Sequence, residues 1–248
     1  MCLITLSFTP DQERHLLLAA NRDEFHARPA RPMAWWPGSP SVLAGRDEQA
    51  GGTWLAVARD GRWAAVTNVR DPRAPRGQRS RGELPLAFFE GGLSPADHAR
   101  QVQAQRAEYG PFNLLVGDAG SVWFASSHGE LTEVAPGVHA VSNGALDAAW
   151  PKSTRIAEGL AALQSHPFSA GQALDLMYDT APGADEALPD TGVGLEMERF
   201  LSSPFILSER YGTRCTTVLA LGSSSQASER RFDTDGQPVG QLDYGWKA

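Results

Sequence analysis

The stretch from Gly51 to Asn68 constrains the fold of this chain more than any other. Two strand-like apolar runs, Trp54-Leu55-Ala56-Val57-Ala58 and Trp63-Ala64-Ala65-Val66-Thr67, flank Asp60-Gly61, a pair with the chemistry of a two-residue hairpin turn. The same grammar recurs along the chain. Runs 3–8 and 16–21 are separated by a polar turn segment and read as another hairpin, and 113–118, 122–126, 131–134 and 138–142 are short strands punctuated by glycine-containing turns. Residues 204–208, 215–221, 229–233 and 239–244 are strand-like again. Elsewhere the spacing becomes helical: a short helix over 84–89 capped by Ser80, one from Ser94-Pro95 to residue 109, and two over 151–163 and 170–178. Residues 180–194 read as a loop. The Pro-rich arm 25–44, with Trp35-Trp36, lines a pocket or covers a sheet. Meanders before and after a helical block predict an α+β protein with two antiparallel sheets and helices packed outside.

With 248 residues and 42% hydrophobic content the chain can bury a large core. No linker or repeat divides it, so residues 1–248 read as one domain. Its 22 Lys and Arg against 29 Asp and Glu give a net charge of −7, which removes the basic field that a nucleic acid or an anionic membrane requires. No run approaches the roughly 18 to 20 apolar residues of a membrane span, and no basic-then-apolar leader opens the chain. Two cysteines, Cys2 and Cys215, make no disulfide framework. The expectation is a cytoplasmic protein with no nucleic-acid partner, no stable membrane insertion and no metal.

Cys2 stands directly behind the initiator methionine. If Met1 is removed, its thiol gains its own base, because an α-amine titrates near roughly 7.7 to 8.0. The bland reading is a small buried hydrophobe. A hairpin in register brings Cys2 beside Asn21-Arg22-Asp23-Glu24, where an Asp can orient the amine and an Arg can favour thiolate; otherwise that tetrapeptide is a solvated loop. Asn68 and Asn143 close strands. Arg70, Arg73, Arg76, Arg79 and Arg81 fall within twelve residues, either a mouth for an anionic substrate or a flexible solvated loop.

Eight blocks occur in one order: Met1-Cys2; Asn21-Arg22-Asp23-Glu24; Gly51-Gly52-Thr53-Trp54-Leu55; Thr67-Asn68-Val69-Arg70; Ser80-Arg81-Gly82; Phe112-Asn113-Leu114-Leu115-Val116-Gly117-Asp118; Ser142-Asn143 with Trp150-Pro151-Lys152; and Tyr211-Gly212-Thr213-Arg214. Together they resemble the NRDE family, also called transport-and-Golgi-organisation type. That resemblance implies a four-layer αββα sandwich of the N-terminal nucleophile hydrolase kind. It implies catalytic roles for Cys2, Arg22, Asp23, Asn68, Asn143 and Arg214, and substrate contacts from Asn21, Glu24, Thr53, Trp54 and Arg70. Asn21 or Glu24 could instead hold one of the Arg22 and Asp23 roles, and Cys215 is a structural neighbour. The expected activity is hydrolysis of an amide bond in a small acylated substrate, with no cofactor and with pairing into a homodimer. The alternative is a non-catalytic carrier of haem or another hydrophobic ligand, although the six histidines are scattered and no Cys-x-x-Cys-His occurs.

Overall fold

The computed structural model describes residues 2–37, 39–75, 77–164 and 168–247, with backbone alone for 39–41. The expectations concerning Met1, Arg76 and His166 therefore fall outside the described residues.

In chain order the elements are β1 (Cys2–Phe8), β2 (Arg14–Phe25), β3 (Ala30–Trp36), β4 (Ser39–Asp47), β5 (Leu55–Ala58), β6 (Trp63–Asn68), α1 (Glu83–Glu90), α2 (Pro95–Ala104), β7 (Phe112–Gly117), β8 (Val122–Ser126), β9 (Thr132–Glu133), β10 (Gly137–Val141), α3 (Pro151–Leu163), α4 (Ala170–Leu176), α5 (Leu195–Phe200), β11 (Tyr211–Gly222), β12 (Ser224–Phe232) and β13 (Pro238–Lys247). They form a six-stranded sheet ordered β10-β1-β2-β11-β12-β13 and a seven-stranded sheet ordered β3-β4-β5-β6-β7-β8-β9. All the pairings are antiparallel.

Strand alternation builds the layers. In β1 and β2 the even residues Ile4, Leu6, Leu16 and Leu18 point between the sheets and meet Leu55, Val57, Trp63 and Leu115. The odd residues Leu3, Leu17 and Ala19 meet Ile156 and Leu160 of α3 and Leu174 of α4. On the far side, Leu84 and Phe88 of α1 and Ala99 and Val102 of α2 cover Ala64, Val66, Leu114 and Val116. The result is the expected αββα sandwich. Because the central strands are buried on both faces, their sequences are continuous apolar runs, and each fully buried Leu contributes about 1.5 to 3 kcal/mol.

Several local expectations are corrected. The arm 25–44 is largely strand: β3 and β4 pair with each other and extend the sheet beyond β5, with Pro32 tolerated because β3 is the edge. The turn after β5 has three residues, because Ala58 N donates to Arg62 O (2.8 Å) and Gly61 takes φ +84°. Ser80 does not cap α1; Gly82 stands at the cap position, and Ser80 Oγ accepts from Gly82 N. Ser94 does cap α2, accepting from Asp97 N, but that helix ends at Ala104. Residues 204–208 are not a strand: Phe205 and Ile206 are buried, and their N–H groups donate to Asp179 O and Thr213 Oγ1. α5 follows the 180–194 loop without having been foreseen.

Candidate active site

The register of three strands assembles the site. Cys2 pairs with Arg22 across β1–β2, and Arg22 pairs with Cys215 across β2–β11. Asp23 pairs with Thr213, so Arg214 is the extra residue of a β-bulge. β2 therefore continues as strand through the charged tetrapeptide, with Asn21 and Arg22 paired on both sides and Asp23 and Glu24 paired to β11, and the solvated-loop reading of residues 21–24 is excluded.

A cavity of about 600 Å³ opens where these strand ends face the second sheet. Cys2, Arg22, Asp23 and Glu24 line it from one side, Thr53, Trp54 and Asn68 from the other, and Ser80 and Arg81 from the loop before α1. The Arg22 guanidinium stacks on the Trp54 ring at 4.3 Å and lies 3.7 Å from Asp47 Oδ2, which fixes its direction into the space between the sheets. Asp23 is buried. Its Oδ1 accepts from Thr213 Oγ1 at 2.7 Å.

Burial pushes the Cys2 thiol above its ordinary pKa, and the Asp23 carboxylate adds to that, while Arg22 and the Asp23 backbone N–H pull it down. Burial likewise raises Asp23, against Lys152, the Thr213 hydroxyl and Arg22. Lys152 is 2% exposed and donates from Nζ to Leu201 O at 2.9 Å. Burial brings it down to about 8, helped by Arg70 and opposed by Asp23. Burial thus disfavours the charged form of all three groups, and Asp23 and Lys152 each favour the other's charge.

Four expected site residues lie elsewhere. Asn21 is turned into the helix layer, donating to Met177 O and Pro204 O (both 2.9 Å) and accepting from Thr216 Oγ1. It holds structure together and does not line the cavity. Arg214 is aimed by its bulge at the carbonyls of Phe25, His26 and Arg28, which Nη1 reaches at 3.0 to 3.2 Å, and it borders a separate cavity. Arg70 is ion-paired with Glu198, and Asn143 donates from Nδ2 to Asn68 O at 2.9 Å; both line a neighbouring hollow of about 430 Å³ with Trp150 and His128.

Residues that sequence reasoning passed over are Lys152, Thr213 and Asp47. Lys152 and Thr213 lay inside the quoted blocks, and their burial next to Asp23 follows from the register of β11 and the placement of α3. Among the described residues no group of His, Cys, Asp and Glu could hold a metal ion, and no helix is long and apolar enough to cross a membrane.

Residues 1–233 match the model of a family described as Transport and Golgi organisation 2. The chain is 32% identical over 254 residues to the Transport and Golgi organization protein 2 homolog of Bos taurus, spanning 92% of this chain and 91% of that one. It is 28% identical to the homolog of Homo sapiens with the same coverage. Among solved structures, a mutant of the conjugated bile acid hydrolase from Clostridium perfringens superposes with a TM-score of 0.50 at 9% identity, over 100% of this chain and 92% of that one. The likeness is one of fold alone.

Proposed function

This chain belongs to the Transport and Golgi organisation 2 family, and we propose that it is an amidohydrolase whose nucleophile is Cys2 once Met1 has been removed. What carries the reading is the convergence of Cys2, Arg22, Asp23 and Asn68 on one cavity at the end of a hairpin.

In the proposed reaction the freed α-amine takes the Cys2 thiol proton as sulfur bonds to the amide carbon. Asn68 donates its side-chain N–H to the oxygen that becomes negative. Asn68 suits that role better than Asn143, whose Nδ2 is already engaged by Asn68 O, and a donor of this kind typically contributes about 2.7 to 4 kcal/mol to the transition state. The ammonium then gives its proton to the leaving nitrogen, the C–N bond breaks and a thioester remains. Water, deprotonated by the same amine, attacks the thioester carbon and returns the thiol. Asp23 orients the amine and is itself held by Thr213 Oγ1.

The test compares the processed chain, its N-terminus verified by intact mass, with Cys2→Ala on a panel of small acyl amides. Turnover is expected to fall by roughly 10³-fold or more. A Cys2→Ala chain that hydrolyses the panel as well as the parent refutes the reading.

A further inference from the structure

The wall of the Cys2 cavity carries four described arginines, Arg22, Arg28, Arg79 and Arg81, and their charges are not equally balanced. Arg22 lies against Asp47. Arg28 pairs with Asp47 at 2.8 Å and with Glu24 at 3.7 Å. Arg79 pairs with Glu83 and Glu108, both at 3.1 Å. Arg81 alone among them has no carboxylate within ion-pair distance among the described residues. Among the described residues it makes one hydrogen bond, from Nη1 to Pro111 O at 2.8 Å, and it lines the cavity, which leaves most of its five N–H donors for a ligand.

Its base is held firmly. Gly82 O accepts from Thr53 N at 3.0 Å, and Arg81 O accepts from Leu84 N at 3.1 Å. Gly52 packs so closely on the Gly82 backbone that a Cβ there would come within 2.4 Å of it. Of the four described arginines in the 70–81 stretch, Arg70 is neutralised by Glu198 and Arg79 by two glutamates, while Arg73 borders another hollow. Among the described residues, the loop delivers one guanidinium without a carboxylate partner, that of Arg81, to the nucleophile's cavity.

We propose that Arg81 binds a carboxylate of the substrate close to the scissile amide, so that the cavity selects acyl amides of the N-acyl amino acid class over neutral ones. This rests on the assignment of Cys2 as nucleophile. A partly buried guanidinium without a counterion is unfavourable, and a carboxylate meets it with two parallel charge-assisted bonds that a neutral carboxamide cannot supply. Burial does lower Arg81, with Cys2 and Glu24 opposing and Arg28 adding, which places Arg81 and Cys2 within electrostatic reach of each other.

Calorimetry on the Cys2→Ala chain, which cannot turn over, compares N-hexanoylglycine with N-hexanoylglycinamide. The carboxylate is expected to bind about tenfold tighter or better, and that ratio should collapse toward one in Cys2→Ala/Arg81→Gln and remain intermediate in Cys2→Ala/Arg81→Lys, which guards against a folding defect in the first variant. A ratio near one in Cys2→Ala, a ratio indifferent to Arg81→Gln, or binding of neither probe overturns the inference. If the ratio behaves as stated but the processed parent hydrolyses neither probe, the hydrolase reading fails and the Arg81 assignment stands.

Discussion

Thr213→Val removes one hydroxyl with two partners while keeping the side-chain shape. Thr213 Oγ1 donates to Asp23 Oδ1 at 2.7 Å and accepts from Ile206 N at 2.9 Å, and all three residues are 1% exposed, so water cannot replace either bond. A hydrogen bond to a charged acceptor contributes about 1.5 to 3 kcal/mol, and an orphaned buried N–H costs about 1 to 3 kcal/mol. The two share one oxygen and are not additive, which sets the expected loss at about 3 kcal/mol. With a urea slope of about 3 kcal/mol per molar, the midpoint falls by about 1 M. Thr216→Val is the control, because Thr216 Oγ1 donates at 2.6 Å to the neutral Asn21 Oδ1 and its loss should cost about half as much. The gap between parent and Thr213→Val should narrow on acidification. The lost bond favoured the charged form of Asp23, so the variant's carboxyl titrates higher still than the parent's, and the extra loss develops as pH rises through that window. A loss under about 1 kcal/mol, or one smaller than that of Thr216→Val, refutes the claim that Asp23 is held as a buried carboxylate.

Lys152 gives the site a second pH signature. Its folded pKa of about 8 lies below the ordinary 10.5, so burial favours the neutral form, and stability should rise by about 3 kcal/mol as pH climbs from about 8 to 10.5. Urea unfolding of the parent and of Lys152→Met across that range checks this; equal pH slopes would contradict it. Arg70→Met strands Glu198, whose side chain is 3% exposed and would keep only Thr191 N and Oγ1 as partners. The expected cost is about 3 to 5 kcal/mol, with Arg70→Met/Glu198→Leu recovering more than half. Thermal unfolding of the two variants decides it, and a double variant no more stable than the single one counts against the buried pair.

The layers of the fold were legible because strands buried on both faces advertise themselves as apolar runs. What propensity could not reveal was strand made of polar residues. β2 runs on through Asn21, Arg22, Asp23 and Glu24 because β11 pairs with it along that stretch and β1 as far as Arg22, and no local pattern in those residues signals that. The pairing of Cys2 with Arg22 did follow from the hairpin, since antiparallel neighbours bring far ends together. The placement of Arg214 was hidden for the opposite reason: as the extra residue of a bulge it directs its side chain to three backbone carbonyls. Lys152, one residue past the proline that opens α3, is among the most deeply buried side chains, which its place in the first turn of a helix does not signal. α5 went unseen because it presents Leu195 and Met197 to solvent and buries Glu198, reversing the pattern by which amphipathic helices are recognised.

The electrostatics of Cys2 bear on why such a site would need its own terminal amine. Burial and the Asp23 carboxylate raise the thiol's pKa against the pull of the N-terminal ammonium and of Arg22, so the nucleophile at rest is a thiol and a base must act at the moment of attack. No histidine is among the described residues lining the cavity, and its carboxylates Glu24 and Asp47 are engaged by Arg28. Asp23 accepts from Thr213 Oγ1, a bond that favours its charged form, and its role in the proposed reaction is to hold an ammonium. In the proposed reaction that ammonium is the Cys2 α-amine after it has taken the thiol proton. Cleavage between Met1 and Cys2 would then supply base and nucleophile in one step.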